Sequence, residues 1–176
     1  LILESLMILV FTVLDIVFFY VFFESVLIPM FLLIGIWGSR QRKIHAAYQF
    51  FVYTLLGSLA MLVAISIMYS TAGTTDILTL STVKFTEEAQ LVLWIAFFAA
   101  FAVKIPLIPV HIWLPEPHVE APTAGSVLLA GILLKLGGYG FLRLSMSVFP
   151  DITIHITPII VTICIIGALY SGFSTL

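Results

Sequence analysis

The stretch that decides the fold runs from Ala100 to Pro115 and reads Ala-Phe-Ala-Val-Lys-Ile-Pro-Leu-Ile-Pro-Val-His-Ile-Trp-Leu-Pro. Lys104 lies near the middle of a long apolar run, and Pro106 and Pro109 follow it. A proline inside a helix lacks a donor and clashes with the carbonyl four residues earlier. The sequence therefore predicts an apolar helix that breaks beside a lysine. At membrane depth such irregular backbone is tolerated where it is buried in protein or lines a water-filled cavity.

Composition places the chain in a membrane. Of 176 residues, 62% are hydrophobic and only 9% are charged, whereas soluble domains carry about 25% charged residues. The net charge of -2 does not suit a nucleic-acid partner, and the single cysteine, Cys164, excludes an internal disulfide framework or a cysteine metal cluster. We expect an integral membrane protein whose partner is the lipid bilayer, and a chain that is a piece of a longer polypeptide.

Apolar runs separated by polar or proline-containing links predict an all-α, polytopic transmembrane helix bundle in one membrane domain. About 20 residues at 1.5 Å rise span the hydrocarbon core. The predicted segments are 2–14 (truncated), 15–37, 46–70, 91–113 (broken), 125–149 and 156–176. The link 71–90 is predicted to be a surface loop with room for a short interfacial helix. The short link after the second segment contains the basic residues Arg40, Arg42 and Lys43. By the positive-inside rule, this link is predicted to lie on the cytoplasmic or matrix side of the membrane.

Three charged residues lie near the middle of three different apolar runs: Glu24, Lys104 and Lys135. A charge at that depth costs about 2.5 to 3.5 kcal/mol, so it needs a partner, a wet cavity or a function. We predict that Lys104 is the counterion of Glu24 and that the three residues belong to a proton path. The alternatives are a static ion pair that sets helix register and a kink that only improves packing.

Polar residues near the other segment ends have simpler roles. The glycines near Lys135 predict close packing of this helix against a neighbour; they are Gly131, Gly137, Gly138 and Gly140. His111 and His118 are candidates for proton transfer because imidazole titrates near pH 6.5, and the alternative for each is an interfacial anchor. His45 and His155 are predicted to be interfacial, and Asp15 is a candidate helix cap. Solvated link positions are predicted for Glu116, Glu120 and Asp151.

The run from His111 to Arg143 resembles the subunit 4 family of NADH:ubiquinone oxidoreductase (respiratory complex I), whose bacterial counterpart is subunit M. The runs 22–30 and 98–109 match as well, so the resemblance covers essentially the whole chain. It implies part of an antiporter-like, inverted-repeat fold with a broken helix around Lys104 to Pro109. It also implies that Glu24, Lys104 and Lys135 occupy the family's glutamate and lysine positions.

The resemblance further implies a proton-translocating subunit of that enzyme. Redox chemistry would belong to other subunits, so we expect no flavin, iron-sulfur or quinone ligands in this chain, and no metal or nucleic acid. Expected partners are other membrane-arm subunits, including neighbouring antiporter-like subunits, and the remainder of the same subunit. The expected location is the mitochondrial inner membrane, with a bacterial plasma membrane as the alternative. A subunit of a multisubunit sodium/proton antiporter and a structural membrane-arm scaffold remain open.

Overall fold

The computed structural model describes residues 1–39 and 41–174, and these residues fold almost entirely as helices. Within those two ranges the extended pairing is limited to an isolated bridge between Asp15 and Asp76. The helices in chain order are α1 (Ile2–Thr12), α2 (Ile16–Ser25), α3 (Leu27–Trp37), α4 (Lys43–Ala72), α5 (Ile77–Leu80), α6 (Glu87–Lys104), α7 (Pro115–Glu120), α8 (Thr123–Val148) and α9 (Pro150–Ser174).

Four of the described helical stretches are long and apolar enough to cross a membrane: Ile16–Trp37, Lys43–Ala72, Thr123–Val148 and Pro150–Ser174. The predicted all-α, polytopic membrane fold is thereby confirmed. Helix α6 has 18 residues and carries Glu87 and Glu88 in its first turn and Lys104 in its last. It ends at Lys104 instead of continuing to Trp113, the end of the predicted segment.

The span from Ile16 to Trp37 is interrupted at Val26, where α2 passes into α3. Pro29 explains the position of this interruption, because it cannot donate a hydrogen bond to Ser25, four residues earlier. Glu24 therefore lies on the last turn of α2, directly before the interruption of the helix.

Capping groups organise the first residues of the 71–90 link. Gly73 adopts φ 69° at the end of α4, a left-handed conformation that suits glycine. Asp76 caps the short helix α5, and its hydrogen bonds from Thr79 lower the pKa of this carboxyl. Asp15 caps α2 by accepting hydrogen bonds from the amides of Val17 and Phe18, as the sequence predicts. The predicted surface loop thus contains a one-turn helix.

Helix α4 packs between α3 and α6, and α6 packs in turn against α8. Small residues permit the close approach: Gly57 on α4 faces Val103, and Gly137 and Gly140 on α8 face the end of α6. Gly131 and Gly138 have no neighbour within 4 Å of a Cβ position among the described residues. The predicted packing role therefore belongs to two of the four glycines near Lys135.

Helix α8 contains two π-helical turns, Leu129–Leu133 and Phe141–Ser145, on either side of an α-helical stretch from Leu134 to Gly140. A π turn inserts an extra residue and so changes which side chains share a face. The stretch that carries Lys135 is bounded by two such changes.

Candidate functional site

The site is organised by the end of α6. After Lys104 the chain turns without regular helix until Pro115, the region in which Pro106 and Pro109 predict a break. The Ala102 carbonyl, which Pro106 cannot serve, accepts the amide of Leu107 at 2.9 Å. The Val103 carbonyl accepts the indole Nε1–H of Trp113, also at 2.9 Å. Because these two bonds replace the missing helical ones, the break is stable although it is buried.

Lys104 and Glu24 face each other but do not form an ion pair in this structure. Lys104 is 2% exposed, and its Nζ has no hydrogen-bond partner among the described residues. Both carboxylate oxygens of Glu24 are also buried and without a partner there. Each charge nonetheless acts on the other. The ion pair that the sequence predicts is therefore not formed in this structure, although each group lies within electrostatic range of the other.

An aromatic ring lies beside the Lys104 ammonium. The Nζ atom lies 4.5 Å from the centroid of the Phe23 ring. Phe23 directly precedes Glu24 on α2 and is fully buried. A cation over an aromatic face at this distance is in the range of a cation–π interaction.

Lys135 lies on the side of α8 that faces away from Lys104. Gly137 is the position at which α8 touches Lys104 and Ile105, and Lys135 is two residues earlier, about 200° around the helix. Accordingly, the Lys135 side chain is exposed. The described residues bring Glu24 and Lys104 together, but they leave Lys135 on an open face.

His111 lines a cavity beside the break rather than a helix face. The cavity has a volume of about 570 Å³ and lies between the 106–115 segment and the second half of α9. The His111 ring meets Tyr170 edge-on at 5.3 Å, and its Nδ1 is buried without a hydrogen-bond partner in the described chain. The helix does not resume before Pro115, so His111 lies in the irregular segment and does not share a helical face with Lys104.

Helix α7 carries the second candidate histidine and a surface ion cluster. His118 is partly buried, and this desolvation lowers its pKa. Glu116 accepts from Arg42 Nη2 at 3.1 Å and contacts His45 Nδ1 at 2.9 Å. Glu116 is therefore not a merely solvated link residue, since it joins α7 to the start of α4. Arg40, the third member of the predicted basic cluster, lies outside the described residues.

Glu120, at the end of α7, is also not a solvated link residue. It is 6% exposed, and its Oε2 has no hydrogen-bond partner among the residues described. Its backbone carbonyl accepts the amide of Ser39 at 3.0 Å. Asp151 and His155, by contrast, are exposed near the start of α9.

Sequence reasoning missed Phe23 and the partners of Glu116. Phe23 is one of 15 phenylalanines, and no spacing rule distinguishes it from Phe19 or Phe22. A signal for Glu116 was available in principle, because the acid follows Pro115 at the start of a short helix, where a carboxylate is favourable. That signal does not identify Arg42 and His45 as its partners. Among the described residues, no group of three His, Cys, Asp or Glu side chains could hold a metal ion.

The fold and the buried charges define a multi-pass helical membrane protein that holds an acid and a base at the break of a helix. A family described as NADH:quinone oxidoreductase/Mrp antiporter, transmembrane, matches residues 14–176. The chain belongs to this family.

Two curated relatives carry the name NADH-ubiquinone oxidoreductase chain 4. The Arabidopsis thaliana protein is 65% identical over all 176 residues, and the Marchantia polymorpha protein is 63% identical over 173 residues. The chain covers 36% and 35% of their lengths, so it spans about a third of the curated relatives it matches. A chain in the structure of respiratory complex I from Thermus thermophilus with bound NADH is similar over 96% of this chain and 36% of its own, with a TM-score of 0.87 and 34% identity.

Proposed function

We propose that the chain is part of a proton-translocating, antiporter-like subunit of NADH:ubiquinone oxidoreductase, located in the mitochondrial inner membrane. The observation that carries this proposal is the buried Lys104 ammonium, which faces the buried Glu24 carboxylate at a helix break without pairing with it. A purely structural scaffold gains nothing from this arrangement. The names of the relatives support the assignment to this enzyme, and their plant sources support the location.

In the proposed mechanism, contact between Glu24 and Lys104 stabilises the protonated lysine, and separation of the two destabilises it. The proton then leaves Lys104 and moves toward Lys135. Removing one partner from a buried ion pair costs about 3 to 5 kcal/mol. Moving one charge against 150 to 180 mV costs roughly 3.5 to 4 kcal/mol. Since these energies are similar, separation of one pair is sufficient to drive one transfer.

His111 and His118 are proposed to connect Lys104 with water. The cavity of about 570 Å³ that His111 lines is large enough for several waters. His118 has a lowered pKa, so it is mostly neutral near pH 7 and available to accept a proton. Lys135, on the open face of α8, would receive the proton on the side that the remainder of the subunit covers.

The partners and cofactors follow from the same assignment. We expect contacts with other membrane-arm subunits, including neighbouring antiporter-like ones, and with the remainder of this subunit. Flavin, iron-sulfur clusters and quinone would be held by other subunits, which agrees with the single cysteine of this sequence. In this proposal the chain contributes to an enzyme without performing its redox reaction.

The test is to replace Lys104 with alanine in the complete, assembled enzyme and to measure protons pumped per electron. We expect pumping to fall while NADH oxidation continues. Lys84→Ala is the matched control, since Lys84 is an exposed lysine in the loop before α6. Unchanged pumping by a normally assembled Lys104→Ala enzyme would refute the proposal.

A sodium/proton antiporter subunit is the second candidate, because the description of the matching family includes Mrp antiporters. The same buried lysine would then exchange protons for sodium without NADH. Proteoliposomes containing the assembled complex distinguish the two functions. Proton movement that requires NADH oxidation supports the first candidate, and sodium-driven proton movement without NADH supports the second.

A further inference from the structure

The Phe23 ring lies next to the Lys104 ammonium, where the proposed proton path would place the Glu24 carboxylate. The ammonium is 4.5 Å from the ring centroid, and it has no hydrogen bond or ion pair among the described residues. In a dry interior an ammonium without any compensating group is strongly disfavoured. The negative face of an aromatic ring supplies part of that compensation.

The ring is held rigidly, so its face is a fixed feature of the site. Phe23 is 0% exposed, and Phe19 stacks on it with ring centroids 5.5 Å apart. Phe101 meets it edge-on at 6.0 Å. Phe101 is itself seated over Gly140, where an added Cβ would come within 3.0 Å of three of its ring atoms. Packing between α2, α6 and α8 therefore determines where the ring face points.

Phe23 and Glu24 are consecutive residues, so their side chains leave α2 about 100° apart. The Lys104 ammonium contacts the Phe23 ring and lies within electrostatic range of Glu24. Its four-carbon side chain is flexible enough to exchange one partner for the other. Ring contact and carboxylate contact are then two alternative positions of a single ammonium. The structure contains the first of these positions.

We propose that Phe23 is a positioning residue for proton transfer, which holds the Lys104 ammonium while it is separated from Glu24. This inference rests on the proposed function and adds to it a resting place for the separated lysine. Without the ring, the separated ammonium would lose its proton early or return to Glu24, and in either case fewer transfers would be completed.

The test compares Phe23→Leu with Phe19→Leu in the assembled enzyme, with proton pumping and NADH oxidation measured on the same samples. Both positions are fully buried phenylalanines on α2, but only Phe23 contacts the ammonium. We expect Phe23→Leu to lower the pumping rate by about 5- to 30-fold, the fold-change that corresponds to about 1 to 2 kcal/mol for a cation–π contact. Phe19→Leu loosens the Phe23 ring without removing it, so we expect it to reduce pumping much less than Phe23→Leu does. Phe23→Tyr, which keeps the ring, is expected to pump at near the normal rate.

If the leucine variant does not assemble, fluorinated phenylalanine at position 23 replaces it, because fluorination keeps the shape of the ring and weakens its negative face. Equal pumping by the Phe23 and Phe19 variants, or failure of Phe23→Tyr to restore it, would overturn the inference. In the same experiment, Lys104→Met tests the proposed function. If Lys104→Met pumps normally, the function itself is wrong. If it does not pump, and Phe23→Leu equals Phe19→Leu, only the role of Phe23 is wrong.

Discussion

Gly137 on α8 packs directly against Lys104: a Cβ at position 137 would lie 2.9 Å from the Lys104 Cβ. The same atom would lie 2.9 Å from Ile105 Cγ1 and 3.1 Å from the Phe101 carbonyl oxygen. The backbone of α8 thus forms one wall of the space around the buried lysine. A small change in α8 is therefore transmitted to Lys104 by contact.

Gly137→Ala tests the close packing of α8 against Lys104. The new methyl group has no room, and overpacking of this kind costs about 1 to 3 kcal/mol. We expect a lower melting temperature of the assembled enzyme together with reduced pumping. Gly138→Ala is the matched control, because no described atom lies within 4 Å of its Cβ position and alanine favours helix. A Gly137→Ala enzyme as stable as the Gly138→Ala enzyme would contradict the close packing.

Glu116→Gln tests the ion cluster between α7 and α4. Because Arg42 and His45 are largely exposed, at 69% and 63% of the side chain, we expect a loss of only about 0.5 to 1 kcal/mol. The loss should nearly vanish at 1 M salt, where the Debye length is about 3 Å. Hydrogen exchange of α7 amides at low and high salt measures it. Glu88→Gln, an exposed position without an ion pair among the described residues, is the control, and a salt-independent effect would argue against the cluster.

His118 should make the stability of α7 depend on pH. Burial lowers its pKa in the folded chain, so the unfolded chain binds a proton first as the pH falls through about 6.5. The contribution of neutral His118 to the stability of α7 is then fully present above that pH. It decreases as the pH falls further, until the pH reaches the pKa of His118 in the folded chain. Hydrogen exchange of α7, corrected for intrinsic rates, should show this decrease as the pH falls below about 6.5. His118→Gln should flatten the profile, and an unchanged slope would exclude His118 as its cause.

Asp15→Ala removes the cap of α2. Asp15 accepts from Val17 N at 2.8 Å and Phe18 N at 3.1 Å, and it also contacts the Thr75 hydroxyl across the 71–90 link. Loss of such a cap costs about 0.5 to 2 kcal/mol. We expect a lower melting temperature and faster proteolysis of the link. Asp15→Asn keeps an acceptor oxygen and should behave nearly normally; identical behaviour of the two variants would rule out capping as the role of Asp15.

Several features of this fold are readable from sequence because their causes are local. An apolar run of about 20 residues forms a helix in lipid, since a helix satisfies all backbone groups within the run and a spanning strand would be only about half as long. Pro106 and Pro109 remove donors wherever they stand, so the end of α6 near Lys104 follows from their positions. Asp15 precedes an apolar run, and its cap bonds reach only two and three residues along the chain.

The site itself depends on tertiary structure. That Lys104 meets Phe23 and not the Glu24 carboxylate, that Lys135 points to an open face, and that Glu116 binds Arg42 and His45 all depend on the rotation and spacing of helices far apart in sequence. Sequence alone determined which charges enter the membrane, because a buried charge is recognisable from its apolar neighbours. Only packing decided which of them meet, because each helix can present any face until its neighbours fill the space around it.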